Sequence, residues 1–177
     1  TDDDSNPGSL RYCLTVVKGK RIVVFKTGGL FVLNSRIDIT EGKVYVAGQT
    51  APGDGVTLTQ GPTNCKGIIQ IGNPDASNAN NATDVVIRYV RFRGQGQRSA
   101  CASSQANPIA IVEGSKRIVL DHNSFMWSVD ENVQVYSYDD QGDTRDLTLS
   151  YNIIGEALAE SVHEEGEHSK NYFLGGK

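Results

Sequence analysis

The second half of the chain repeats one short pattern three times, and this repeat restricts the fold more than any other feature. Residues 84–92, 117–125 and 146–154 begin roughly 29 to 33 residues apart and alternate apolar with polar side chains. When the segments are superimposed, the apolar residues form two columns: Val85, Ile118 and Leu147 in one, and Ile87, Leu120 and Leu149 in the other. Strand-like alternation with this period predicts a stacked solenoid, in which each coil buries its face against its neighbours.

Polar residues extend the same columns. Asn123 and Asn152 follow the first strand of successive units, where the chain must bend. Asparagine tolerates the left-handed backbone region and can hydrogen-bond through its amide, so a stacked amide ladder is one interpretation. Two loop asparagines aligned by chance are the other. The equivalent column of Tyr89, His122 and Tyr151 favours the ladder.

The first half of the chain also has the pattern of β-strands. Strand-length runs cover residues 22–25, 30–33, 37–39, 43–47, 56–59 and 68–71, with turn residues between them. Residues 10–17 could form a short helical turn for which Ser9 is the N-cap. We therefore predict one all-β domain over residues 1–177, with a cap in residues 1–20 and stacked coils in residues 21–177.

Charge and hydrophobicity restrict the partners of this chain of 177 residues. A net charge of −4 argues against nucleic acid, which usually meets a basic surface. No window approaches the roughly 20 apolar residues of a membrane span, so no membrane partner is expected. An acidic polymer remains compatible with the charge, because binding depends on the local field in a groove and not on the net charge.

Three cysteines allow at most one intramolecular disulfide. Cys65 with Cys101 is the favoured pair, because both lie in loops beside neighbouring strands, and three free thiols are the alternative. Asn81 begins an Asn-Ala-Thr glycosylation sequon in a polar segment. Together these features favour a secreted, extracellular protein.

Five short motifs occur in an order that resembles a known family. They lie at residues 6–11, 25–29, 46–56, 120–132 and 166–170. The set resembles secreted pectate lyases of the right-handed parallel β-helix type, and it extends over nearly the whole chain. The fold implied by this resemblance agrees with the solenoid that the repeat predicts.

The resemblance implies cleavage of pectate, or polygalacturonate, by β-elimination with calcium as the cofactor. The proton next to a carboxylate is only weakly acidic, and a divalent cation on that carboxylate stabilises the developing negative charge. Calcium requires several oxygen ligands, which outward side chains on stacked strands can supply. A basic side chain must then accept the proton.

Three residues are candidate calcium ligands in this sequence. The motif that contains Asp130 and Glu131 resembles one that supplies a calcium ligand in the family, although Glu131 could instead cap or salt-bridge its turn. Asn107 stands where the family commonly has an aspartate, so it could offer only a neutral oxygen. Calcium affinity is therefore expected to be reduced or lost.

Lys170 is the candidate catalytic residue, because its His-Ser-Lys motif resembles the one that places a lysine beside the metal. Lys170, His168 and Arg145 are the candidate substrate contacts. Arg145 belongs to a basic strip in the sequence, which consists of Arg88, Arg91, Arg93, Arg98, Lys116, Arg117, Arg145 and Lys170. Solvated surface side chains are the simpler interpretation of the strip. Asp121 is expected to be structural. A zinc site at His163 and His168 is conceivable, but their spacing matches no closed ligand pattern, so a polar loop is the favoured interpretation.

The proton-accepting arginine of the family comes from a coil beyond the lysine motif, and the sequence stops at Lys177. We therefore expect the amino-terminal part of a longer lyase without its catalytic arginine, or a stack that a second chain completes at its C-terminal end. One alternative is a non-catalytic β-solenoid module for acidic polysaccharide binding or assembly. A weaker alternative is a galacturonan hydrolase that uses Asp121 and Asp130 as its carboxyl pair.

Overall fold

The computed structural model of the chain describes residues 5–73, 82–95, 106–137 and 143–175. Within these ranges, fifteen strands form three sheets of five, and every pair of neighbouring strands is parallel. The first sheet contains β1 (Arg21–Val24), β4 (Val44–Ala47), β7 (Thr83–Arg88), β10 (Lys116–Asp121) and β13 (Arg145–Ser150). The second contains β2 (Gly29–Leu33), β5 (Val56–Gln60), β8 (Val90–Arg93), β11 (Ser124–Met126) and β14 (Ile153–Gly155). The third contains β3 (Ile37–Ile39), β6 (Ile69–Ile71), β9 (Ile109–Val112), β12 (Glu131–Tyr136) and β15 (Lys170–Leu174).

Every third strand along the chain returns to the same sheet, so three consecutive strands make one coil of a parallel β-helix. This arrangement confirms the predicted solenoid. Its right-handed sense and its incomplete or partner-covered C-terminal end stay predictions, as does the single domain over residues 1–177.

The repeat predicted the register between coils. Ile118 lies opposite Val85 in β7 and Leu147 in β13, while Leu120 lies opposite Ile87 and Leu149. Val85, Ile87, Ile118 and Leu120 are almost fully buried. Branched apolar side chains pack well on a pleated surface, and a slip of one residue would turn the whole set outward, so burial enforces this register.

The bends between the first and second sheets differ in one respect from the prediction. The left-handed residues are the aromatic ones, with φ of 57° at Tyr89, 56° at His122 and 51° at Tyr151, and not the asparagines that follow them. Their rings stack, with centroids 4.8 Å apart for Tyr89 and His122 and 4.9 Å apart for His122 and Tyr151. Stacking between coils helps to offset the cost of about 1–2 kcal/mol of each left-handed residue.

The side chains of two asparagines form hydrogen bonds with backbone N–H and C=O groups at these bends. Asn123 accepts the N–H of Val90 at 3.0 Å through Oδ1 and donates to the carbonyl of Ile87 at 2.9 Å through Nδ2. Asn152 repeats this one coil later, because it accepts the N–H of Asn123 at 2.8 Å and donates to the carbonyl of Leu120 at 2.8 Å. The predicted ladder therefore exists, and its rungs are amide-to-backbone bonds.

Replacing Asn123 by alanine is expected to lower the free energy of unfolding by about 2–4 kcal/mol, because each buried backbone group left without a partner costs about 1–3 kcal/mol. Urea denaturation measures the change. Asn152→Ala is the matched control, since its side chain has the same role but is only half-buried. If both variants lose the same small amount of unfolding free energy, the asparagine ladder does not contribute the stability proposed for it.

A short helical segment, Tyr12–Val16, packs on β3 and places Leu14 against the core, and Leu10 just before it is buried there as well. As predicted for an N-cap, the Ser9 hydroxyl accepts the N–H of Tyr12 at 3.1 Å. Burying apolar side chains at the start of the stack covers interior that would otherwise face water, which is what a solenoid requires of a cap.

Cys65 is disulfide-bonded and Cys13 is a free thiol. Cys101, the predicted partner of Cys65, lies outside the described residues, as does the sequon residue Asn81. Among the helices that the structure describes, none has the length and apolar character needed to cross a membrane.

Candidate active-site groove

A groove with a volume of about 890 Å³ runs along the outer face of the third sheet. Its floor includes the outward residues Gln70, Ala110, Gln134 and Phe173, which lie side by side on β6, β9, β12 and β15. Loop residues between β14 and β15 form part of its wall. Alternation along each strand sends the apolar residues into the core and leaves the other face for a ligand.

Asp130 and Glu131 lie where the chain enters β12, and both line the groove. They are 3% and 4% exposed, which is unusual for carboxylates. Ser128 shapes this entry, because its hydroxyl accepts the N–H of Asp130 at 3.2 Å and its own N–H donates to Asn132 Oδ1 at 3.1 Å. Local side-chain bonds therefore hold two acidic groups together in a buried position.

Asn107 also lies in this part of the groove, as the sequence predicted. Its Oδ1 accepts the backbone N–H of Glu131 at 2.8 Å. The amide oxygen therefore positions the backbone that carries the carboxylates. Its remaining lone pair is the only part of the side chain that could serve as a neutral ligand.

The pKa of Glu131 is raised from 4.5 to about 7, mainly by burial and then by the negative charge and hydrogen bond of Asp130. Two adjacent carboxylates out of water favour sharing a proton when no cation is bound. A divalent cation would relieve the same repulsion and favour the ionised form. The donor chemistry of this pair therefore fits a cation such as calcium.

The shifted pKa of Glu131 predicts how the metal-free protein responds to pH. The folded protein binds this proton more tightly than the unfolded chain does, so the contribution of Glu131 to the free energy of unfolding is fully present below pH 4.5 and is lost as the pH rises through about 7. Urea denaturation in a chelator across this window measures the loss. Glu131→Gln should remove the contribution.

Glu164→Gln is the control for this experiment, because Glu164 is an exposed carboxylate that lines the same groove. The free energy of unfolding of Glu164→Gln should depend on pH in the same way as that of the unchanged protein. A pH dependence that survives in Glu131→Gln would assign the titration to another group.

Lys170 begins β15 and lies directly opposite Glu131 in the register of the third sheet. Its backbone N–H donates to the carbonyl of Asp130 at 2.9 Å, and its exposed ammonium donates to the carbonyl of His168 at 3.1 Å. The positive charge acts on Glu131, since it opposes the rise in that pKa. The structure thus brings together the lysine and the two acidic residues that the sequence singled out.

His168 lies in the same cluster. Its Nε2 is 3.2 Å from Asp130 Oδ1, and its Nδ1 is 2.8 Å from Glu165 Oε2. The imidazole of His163 stacks on that of His168 with centroids 4.3 Å apart. The polar-loop interpretation is therefore incomplete, because the loop directs both histidines to Asp130, with ligand atoms of the three residues within 4.8 Å of one another.

Two features of the loop produce this arrangement. Gly166, with φ of 78°, turns the chain so that its N–H donates to the carbonyl of His163 at 3.0 Å. The Ser169 hydroxyl then ties the loop to the carbonyl of Ser128 at 2.9 Å. The only sequence signal was a glycine between two histidines just before a strand, which indicates a turn but not what it faces.

Arg145 is not brought to the groove. It begins β13 in the first sheet, where its exposed guanidinium lies 3.9 Å from Asp146, while Lys170 lies in the third sheet. The basic strip in the sequence therefore crosses from one face of the solenoid to another. The structure gives no support for Arg145 as a substrate contact in this groove.

Asp121 has a structural role, as expected. Its carboxylate accepts Arg88 Nε at 2.6 Å and the Ser150 hydroxyl at 2.6 Å, and it lies 2.8 Å from Nδ1 of His122. The bonds from Ser150 and His122 are the main causes that lower its pKa to about 2. Asp121 ends β10 in the first sheet and Asp130 precedes β12 in the third, so they do not form a facing carboxyl pair for hydrolysis.

The chain is 34% identical over 157 residues to proteins named probable pectate lyase C from Aspergillus fumigatus and Neosartorya fischeri, and 33% identical to the one from Emericella nidulans. Each alignment covers 88% of the chain, and the chain spans 31% of the length of these relatives. No family model matches the chain. The sequence is therefore similar to these pectate lyases, and the fold of the chain is a parallel β-helix.

Proposed function

We propose that this pectate lyase-like chain carries the substrate groove of an extracellular polysaccharide lyase that cleaves pectate by calcium-assisted β-elimination. One observation carries the proposal: Lys170 and Glu131 are register partners on the neighbouring strands β15 and β12, next to Asp130, in a groove open to solvent. A buried acidic pair next to an exposed ammonium suits a ligand whose carboxylates bind both a metal ion and a lysine.

The groove supports a polymeric substrate. Its floor extends over strands from four successive coils, β6, β9, β12 and β15, so several sugar units can contact it at once. Gln70, a neutral polar residue, forms part of this floor.

Asp130 and Glu131 would hold the calcium ion, and the remaining lone pair of Asn107 could add a neutral oxygen. When bound, calcium supplies Lewis-acid stabilisation of negative charge on the substrate carboxylate. Two carboxylates and one amide leave several of the six to eight calcium positions for water and substrate, so weak binding without substrate is expected.

Lys170 binds and orients the substrate carboxylate in this proposal. Its backbone is fixed by the bond to Asp130, while its ammonium bonds, among the described residues, only to the carbonyl of His168 and can turn toward a ligand. An ammonium held beside the substrate carboxylate stabilises the negative charge that develops when the carbon next to that carboxylate loses its proton. Within the described residues we assign no proton acceptor; the family resemblance implies an arginine from a coil beyond the lysine motif.

An extracellular location is part of the proposal. The disulfide at Cys65 supports it, because disulfides persist mainly in oxidising compartments.

The decisive experiment uses the whole protein, with any residues that follow Lys177, and incubates it with polygalacturonate in calcium or in a chelator. The absorbance of unsaturated ends and the release of reducing ends are followed together. Calcium-dependent absorbance is the expected result. Reducing ends without absorbance would indicate a hydrolase, and polysaccharide binding without either product would indicate a non-catalytic module.

A further inference from the structure

The loop between β14 and β15 supplies a set of donor atoms that calcium does not use. His163 and His168 contribute imidazole nitrogens, and with Asp130 they bring three ligand atoms within 4.8 Å of one another. Calcium binds oxygen ligands almost exclusively, whereas two imidazoles and one carboxylate are the donors of many zinc sites. The nitrogen atoms in this cluster therefore point to a different ion.

We propose that Asp130, His163 and His168 form a binding site for a first-row transition metal ion, for which Zn²⁺ is the type ion. Three protein ligands with a fourth position open to solvent make an accessible site of the kind found in zinc enzymes. The site goes beyond the proposed lyase function, because ion binding requires neither polysaccharide nor turnover.

One distance in the cluster already fits such an ion. His168 Nε2 is 3.2 Å from Asp130 Oδ1. Two ligands of a tetrahedral ion with bonds of about 2.0–2.1 Å lie about 3.3 Å apart, so these two atoms already have the required separation. The Asp130 side chain is 4% exposed, and an ionised carboxylate in that position needs a positive partner.

Glu165 prepares His168 for the ion. Its carboxylate lies 2.8 Å from Nδ1, and an N–H on that nitrogen leaves Nε2 as the unprotonated donor that faces Asp130. His163 is less constrained, because its Nδ1 accepts the N–H of Glu165 at 3.2 Å, a long bond in an exposed position. Water can replace that bond when His163 turns a nitrogen to the ion.

Asp130 belongs to both donor sets, but the other members differ. Glu131 serves only the oxygen set proposed for calcium, and the histidines serve only the nitrogen-containing set. Substitutions can therefore separate the two sites. Glu131→Gln should weaken calcium binding and leave Zn²⁺ binding within a few-fold of the unchanged protein, while His163→Ala should do the reverse.

The test uses the intact protein without an affinity tag, stripped of metal. Zn²⁺ affinity is measured by competition with a chromophoric chelator, calcium affinity by calorimetry, and Co²⁺ serves as a spectroscopic probe of coordination. We expect His163→Ala and His168→Ala to lower Zn²⁺ affinity at least about 100-fold, and Glu165→Gln about 10-fold, as for a residue that orients a ligand. The Co²⁺ complex should show the intense visible bands of a four-coordinate ion.

His122→Tyr is the matched control, because it removes the chain's remaining histidine while tyrosine already occupies the neighbouring positions of that stack. It should bind Zn²⁺ like the unchanged protein. Thermal unfolding of each variant shows whether it remains folded, and the Co²⁺ spectrum of the unchanged protein tests the site without any substitution. Zn²⁺ affinity that is the same in His163→Ala, or a Co²⁺ spectrum of the hydrated ion, would overturn the proposal. A failed lyase assay would leave these results unaffected.

Discussion

Lys170→Ala is expected to lower kcat/KM for polygalacturonate by about 100- to 1000-fold, the cost of removing one group that stabilises developing charge. The ammonium lies at the open side of the groove, and its backbone is anchored to Asp130 at 2.9 Å. An alanine would keep the strand and its register while removing the charge opposite Glu131. Initial rates at several substrate concentrations, followed by absorbance, measure the effect.

Lys66→Ala is the matched control for this experiment. Lys66 is also an exposed lysine that lines the groove, but it lies before β6 and is not opposite the acidic pair. Its removal should change kcat/KM by less than about fivefold, since an exposed charge away from the reacting group is screened by salt. Equal losses at Lys66 and Lys170 would indicate a general electrostatic attraction of the polymer. Lys170→Arg should recover part of the activity if charge matters more than shape.

The stacking of the coils and the meeting of Asp130 with Lys170 could both be predicted from sequence, for related reasons. Alternation with a period of two leaves one face of each strand apolar, and burial of that face sets the register for Val85, Ile118 and Leu147. Once strands stack in register, residues at the starts of successive strands in one sheet become neighbours. Asp130 precedes β12 and Lys170 begins β15, so their proximity follows.

Features that depend on loop conformation could not be predicted in this way. The pairing of His163 with His168 requires the left-handed turn at Gly166 and the bond from Ser169 to Ser128, and neither is part of the repeat. The role of Asn107 also depends on which donor bonds to its amide oxygen. That donor is the backbone N–H of Glu131 in the next coil.

Arg145 shows a different difficulty. Its charge places it in a basic strip with Lys170, but the two residues lie in different sheets. A solenoid turns the chain through three faces in each coil, so proximity in the sequence says little about a shared surface. Assigning strands to sheets before grouping charges separates Arg145 from the groove.

Removing one ring of the buried aromatic pair inside the solenoid is expected to cause a large loss in the free energy of unfolding. Phe92 and Phe125 lie on neighbouring strands of the second sheet with ring centroids 4.8 Å apart, and both are fully buried. Phe92→Ala should lower the free energy of unfolding by about 3–5 kcal/mol, because it removes buried apolar area and leaves a cavity between two coils. That loss is a large fraction of the roughly 5–15 kcal/mol by which folded domains are stable.

Tyr151→Ala separates burial from ring stacking in this prediction. The rings of His122 and Tyr151 have almost the same geometry as the phenylalanine pair, with centroids 4.9 Å apart, but Tyr151 is 81% exposed. If burial supplies most of the stabilisation, Tyr151→Ala should cost no more than about 1.5 kcal/mol, the upper range for the stacking contribution of an aromatic pair. Urea denaturation of both variants in the same buffer measures the difference, and comparable losses would mean that stacking between coils, and not the apolar interior, holds the solenoid together.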